Sequence, residues 1–247
     1  MDGNVEVIEN IYDSIVWIRI KPGVICDQAV FFACCYIPPE NSQFYNENDI
    51  DLYQRLENSI CKYKSEGTIF IFGDFNSRIG MRDDVILNDD ISDTVLDTLS
   101  AVIDYRADEN LSKRNSLDKQ VNQFGRKLID LCKTTGIRVV NGRHQGDPCG
   151  NFSFYNARGT SLIDYLLTEG SQLSNVADFV TGQFNTFSDH SPVSFTLKFT
   201  VSRICDFKTS NSGIVSYRNR VKSVKWNDNT TELVNSSLSE NLDSLLN

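Results

Sequence analysis

The sequence predicts a layered α/β sandwich, and three observations predict it. Thr68-Ile69-Phe70-Ile71-Phe72 is an unbroken run of β-formers, the mark of a strand covered on both faces. Apolar residues recur at helical spacing on either side of it, at Ile50, Tyr53, Leu56, Ile60 and Tyr63 and again at Phe124, Leu128, Leu131 and Cys132. Strand-like segments continue to the far end of the compact region, so helices and strands interleave and several antiparallel pairs are expected.

Taken in order, Ile15–Ile20 and Ala29–Ile37 read as strands rich in β-branched and aromatic residues, the second stopped by Pro38-Pro39. The first helix is expected to start from Asn48 or Asp49 and to stop at Gly67. Residues 81–116 show no period and many acids, and are expected to form a long surface excursion. The second helix should end at Gly136. Further strands are expected near 137–141, 151–155, 161–167, 176–181 and 192–199. From about residue 204 the chain becomes Ser/Asn-rich. The expected division is a domain over 1–203 and a linker or tail over 204–247, with a short helix near 232–246.

Composition narrows the function classes. The chain has 247 residues, 40% apolar and 23% charged, ordinary for a globular protein. No apolar run approaches the roughly 20 residues that span a bilayer, and the start lacks the basic and apolar regions of a signal peptide. An intracellular location, nuclear or cytoplasmic and not secreted, is therefore expected. Seven scattered cysteines with no C-x-x-C pair read as reduced packing thiols. The net charge of −9 looks wrong for a nucleic-acid binder until it is located. Residues 83–109 hold nine acids against one base, a net −8, whereas 113–143 hold eight Lys or Arg against two Asp, a net +6. Such segregation allows a basic face toward phosphate, although charge runs are more often just solvated faces.

The chemistry sits at strand ends. Gly73-Asp74-Phe75-Asn76 follows the 68–72 strand, Ser188-Asp189-His190 precedes Val193–Leu197, and Ser161-Leu162-Ile163-Asp164-Tyr165 lies between them. Rigid strand ends are where fixed polar constellations are built. Asp oxygens suit a hard cation, and His is the group best suited to proton transfer near neutral pH. Together they are the ingredients of metal-assisted phosphate ester hydrolysis. Gly-Asp-x-Asn alone would be satisfied by an Asx-turn; the second loop tips the balance toward a site.

In this order, the motifs resemble the endonuclease/exonuclease/phosphatase superfamily, most closely its non-LTR retrotransposon endonucleases. Beyond the loops above, Tyr36-Ile37-Pro38-Pro39, Arg114-Asn115-Ser116-Leu117-Asp118, Asn122 with Gly125, Val140-Asn141-Gly142-Arg143 and Lys225-Trp226-Asn227-Asp228 carry the likeness. It covers roughly residues 5–230. The resemblance implies a four-layer α/β/β/α sandwich of DNase I-like type. It implies catalytic roles for Asp74 (orienting or deprotonating water), Asn76 (holding a phosphate oxygen), His190 (contacting the scissile phosphate), Asp164 (fixing the His190 ring) and Tyr36 (bonding a phosphate oxygen). Asp189 and Asp74 would bind Mg²⁺ or Mn²⁺. Ser153, Tyr155 and Arg158 are expected to line a nucleic-acid groove. Water would attack a phosphodiester in line, leaving a 3′-hydroxyl and a 5′-phosphate.

The family pattern also includes an Asn-containing strand and a Glu-bearing strand ahead of the position where this chain starts. The expectation is a domain lacking those first strands, with weakened metal binding; Glu6 and Glu9 are the early acids that could substitute. The expected function is DNA nicking as the endonuclease domain of a retrotransposon-derived protein, monomeric, with DNA as partner, no membrane, and a reverse transcriptase domain downstream in a longer parent. The alternatives are an inositol or lipid phosphatase of the same superfamily and an inactive truncated remnant.

Overall fold

The computed structural model describes residues 3–86 and 111–200, all within one compact unit, Met1–Arg203. Most of the acidic run, the Trp226 motif and the expected helix near 232–246 lie outside the described residues.

Six strands form the main sheet: β1 (Val5–Ile11), β2 (Ile15–Ile20), β3 (Ala29–Tyr36), β4 (Gly67–Asp74), β5 (Ile137–Val139) and β8 (Asp164–Glu169). Their spatial order is β1-β2-β3-β4-β8-β5. Neighbours are antiparallel except β3 and β4, which run parallel. A parallel pair needs a long crossover, and α1 (Phe44–Glu47) and α2 (Leu52–Lys64) lie within it. A third helix, α3 (Gln123–Thr135), packs with α2 on the same side of the sheet. Two hairpins complete the described structure: β6 (Phe154–Asn156) with β7 (Gly159–Ser161), and β9 (Val176–Thr181) with β10 (Val193–Leu197), with a 3₁₀ turn at Gly170–Asn175.

Both faces of the central strands are buried, which is why their sequences do not alternate in polarity. Phe31, Ala33, Ile69, Ile71, Tyr165 and Leu167 point toward the helices and meet Leu56, Ile60, Tyr63 and Leu128. Val30, Phe70 and Leu166 point the other way, onto Val176 and Phe179 of β9, with Phe195 of β10 against the same cluster. The result is the layered mixed α/β class expected from the sequence: helices, central sheet, second sheet.

Four elements differ from expectation. β1 is a strand the sequence did not reveal; its register shifts between Val7 and Glu9, so its apolar residues fall out of period 2. The cap of α2 is Asp51, whose side chain accepts from Tyr53 and Gln54 N–H, not Asn48 or Asp49. The single strand expected over 161–167 is two, β7 ending at Ser161 and β8 starting at Asp164.

The fourth difference is the surface excursion, because the described parts of 81–116 are anchored inside. Asp84 is fully buried and forms a two-pronged pair with Arg143, at 2.8 and 3.0 Å, while also accepting the Val139 N–H at 2.8 Å. Buried Arg114 donates to the Gly80 and Arg82 carbonyls. The Arg143 guanidinium holds the Asp84 carboxyl below the usual range despite its burial. Of the thiols, Cys35 and Cys132 pack in the core as expected, whereas Cys34, Cys61 and Cys149 are exposed.

Candidate active site

The end of β4 lies against the backbone of β3. Gly73 has φ +137, and a Cβ there would stand 1.9 Å from the Cys35 carbonyl oxygen; only glycine fits. Asp74 follows, directly across the parallel ladder from Tyr36 at the end of β3. Asn76 sits in the left-handed region at φ 48, a conformation Asn tolerates better than most residues. Its N–H donates to Asp74 Oδ1 at 2.8 Å, and its Nδ2 to the Ile37 carbonyl at 2.9 Å and to Asp74 Oδ2 at 3.3 Å. In this geometry Asn76 ties the loop together; to hold a phosphate oxygen it would exchange the longer bond to Asp74.

The antiparallel β4/β8 ladder places Asp164 opposite Asp74. Ser188–Ser191 arrives from the β9–β10 connection. A bridge between Phe154 and His190 and the bonds Tyr155 N–H to Asp189 O (2.9 Å) and Ser191 N–H to Ser153 O (2.7 Å) dock it on β6. His190 Nδ1 then lies 2.9 Å from Asp164 Oδ2, and its Nε2 lies 4.0 Å from Asp74 Oδ2. The Phe154 ring flanks the imidazole, with centroids 4.8 Å apart.

Asp74, Asp164 and His190 each offer a ligand atom within 4.8 Å of one another. Burial pushes the Asp74 carboxyl up to about 6; the Asn76 N–H opposes this, and Asp164 and Asp189 add to it. Burial also raises Asp164, against the Ser153 hydroxyl and His190. Two crowded acids, both raised above the ordinary carboxylate range, suit either a proton shuttle or a cation that relieves their repulsion. Asp164 and His190 already satisfy each other. With Asp164 turned to His190, Asp74 is the carboxylate of this cluster left for a cation, and its oxygens suit a hard ion.

Of the residues singled out in the sequence, Asp74, Asn76, Asp164 and His190 converge; Asp189, next to His190 in the chain, is exposed, and so is Tyr36, across the ladder from Asp74. Tyr155 and Arg158 are exposed on the β6–β7 hairpin. A cavity of about 310 Å³ beside that hairpin is lined by Arg78, Gln120, Phe154, Asn156, Arg158 and Thr160; Phe154 is shared with the cluster, its ring lying against His190.

Ser153 is a correction. It does not line a groove: it is fully buried, and its Oγ accepts the Ile163 and Asp164 N–H groups, each at 3.1 Å. It supports Asp164 from behind. Glu6 and Glu9, the early acids, are engaged away from this cluster. Glu6 pairs with Arg19, and Glu9 accepts from Ser59 and Tyr63 on α2.

Two supporting residues were present in the motifs without a role. Asn141 Oδ1 accepts the Leu166 N–H, and its Nδ2 donates to the Asp164 carbonyl. Asn122 caps α3 through Gly125, accepts the Arg78 N–H and donates to the Asn76 carbonyl. Asn141 stands beside Gly142 and Asn122 three residues before Gly125, but the partners that tie them to the site lie 23 to 46 residues away in the chain. His144 is a turn residue, its Nδ1 accepting the Gly146 N–H.

No protein-family model matches the sequence, and no curated protein matches it. Among solved structures, the chain is similar to the endonuclease domain of TRAS1, a telomere-specific non-LTR retrotransposon, at 13% identity and TM-score 0.48, covering 80% of this chain and 71% of that one. It is similar to the 3′-5′ exonuclease NExo from Neisseria meningitidis at 12% identity and TM-score 0.46, covering 78% and 70%. It is also similar to an endonuclease/exonuclease/phosphatase family protein from Leptotrichia buccalis at 13% identity and TM-score 0.39, covering 75% and 54%.

Proposed function

We propose that the chain is a metal-dependent phosphodiesterase that nicks DNA, the endonuclease domain of a retrotransposon-derived protein. The observation that carries this is the convergence of Asp74, Asp164 and His190, with the imidazole held by one carboxylate and facing another. Asp164 orients the His190 ring, so that Nε2 is directed to the space beside Asp74 where a phosphate would sit. Asp74, titrating near 6, takes or positions the proton of an attacking water. Tyr36 bonds a phosphate oxygen from the rim, and Arg158 and Tyr155 meet the flanking backbone and sugar. Asp74 and Asp189 would hold a divalent ion, which would supply neutralisation of charge on the phosphate oxygens.

The test is plasmid relaxation by the full chain in Mg²⁺ or Mn²⁺, beside phosphate release from inositol and lipid phosphates. Nicking that stops in EDTA and in His190→Ala supports the proposal. Phosphate release without nicking favours the phosphatase, and silence in both assays favours the remnant.

A further inference from the structure

We propose that Phe187 stacks on an unpaired nucleobase of the substrate, close along the strand from the phosphate at His190. This rests on the nucleic-acid assignment above and adds a base-contacting element to it. Phe187 is 96% exposed, the most exposed large hydrophobic side chain among the described residues. A scattered exposed apolar residue needs no explanation; this one is held out by a built turn. Its N–H donates to Asn185 Oδ1 at 2.8 Å, Asn185 and Ser188 form a β-bridge, and Ser188 Oγ accepts the His190 N–H at 3.0 Å. The bonds that present the ring are continuous with those that place the imidazole.

The reach is appropriate. Phe187 lies three positions before His190, a backbone span of at most about 10 Å, which corresponds to no more than about three base steps. Two further exposed aromatics belong to the same neighbourhood. Tyr155, whose N–H is bonded to the Asp189 carbonyl, meets Phe184 edge to face at 4.9 Å. Aromatic faces beside a phosphate site, with cationic Arg158 on the adjoining hairpin, match the stacking platforms of single-stranded nucleic-acid binders, which accept any base because every base has a π-face. A base inside a duplex cannot present that face. The preferred substrate is therefore a strand that is single, frayed or distorted at that position.

The test measures binding of the full chain, without divalent metal, to single-stranded oligonucleotides carrying 2-aminopurine at successive positions. Anisotropy gives Kd and quenching reports stacking. The wild-type chain is expected to quench 2-aminopurine at one or two adjacent positions. Phe187→Ala should abolish that quenching and weaken binding about tenfold, Phe187→Trp should retain both, and an abasic residue at the quenched position should erase the difference between wild type and Phe187→Ala. An exposed side chain can be removed with little effect on folding. Unaltered Kd and quenching in Phe187→Ala, or no binding by wild type, overturn the proposal. Metal-dependent nicking tests the site independently. Nicking with an unaltered Phe187→Ala leaves the hydrolase and removes the stacking role; quenching without nicking does the reverse.

Discussion

His190 Nδ1 and Asp164 Oδ2 stand 2.9 Å apart, and the Asp164 backbone is itself pinned by the buried Ser153 hydroxyl. The carboxylate therefore fixes which ring nitrogen faces Asp74. Asp164→Asn should keep the fold and lower kcat about 10- to 1,000-fold with little change in KM, because orientation matters most in the transition state. His190→Ala should lose about 10²- to 10⁴-fold. Single-turnover nicking measures both; equal rates for wild type and Asp164→Asn would sink the orienting role.

Asp74 should be costly to the fold. Its carboxyl is raised to about 6 from an ordinary 3.8. A raised acid contributes stability that is full below the unfolded value and lost as pH climbs through the folded one. Above pH 6 the buried charge therefore works against folding. Asp74→Asn should stabilise the chain at pH 8 in EDTA by on the order of 1–3 kcal/mol, and the gain should vanish near pH 4. Urea melts at the two pH values measure it. The same variant should be inactive, a separation of stability from function.

The buried Asp84–Arg143 pair makes the opposite prediction. Asp84 is held low, so its contribution is present above the unfolded pKa and lost as pH falls through the lowered folded one. Asp84→Ala should destabilise by about 3–5 kcal/mol, because it strands the Arg143 charge and orphans the Val139 N–H. A midpoint in urea within error of wild type at pH 7 would refute this.

Asn122 joins a helix terminus to the site loop. Asn122→Ala should cost about 1–2 kcal/mol for the lost cap. It should also lower kcat, because the Asn76 carbonyl and the Arg78 N–H lose their partner. Asn122→Asp keeps the accepting oxygen but not the donor to Asn76. It should therefore recover most of the stability and less of the activity, as read by thermal melts alongside nicking rates.

What the sequence determined by itself was local. The strand over 68–72, α3 with its stop at Gly136, and the polar loops holding Asp74, Asn76, Asp189 and His190 were legible because burial on a sheet or helix imposes a short period, and turns require particular residues. β1 was not, because its register shift breaks the alternation. Only the tertiary structure decided that Ser153 supports Asp164 instead of facing solvent, and that Asp84 and Arg114 are interior. The partners that bury them lie 10 to 59 residues away, and no local pattern encodes a hydrogen bond closed across the fold. The same holds for the site. Asp74, Asp164 and His190 are separated by up to 116 positions in the sequence; it is the β4/β8 ladder and the docking of Ser188–Ser191 on β6 that bring their side chains within a few ångströms.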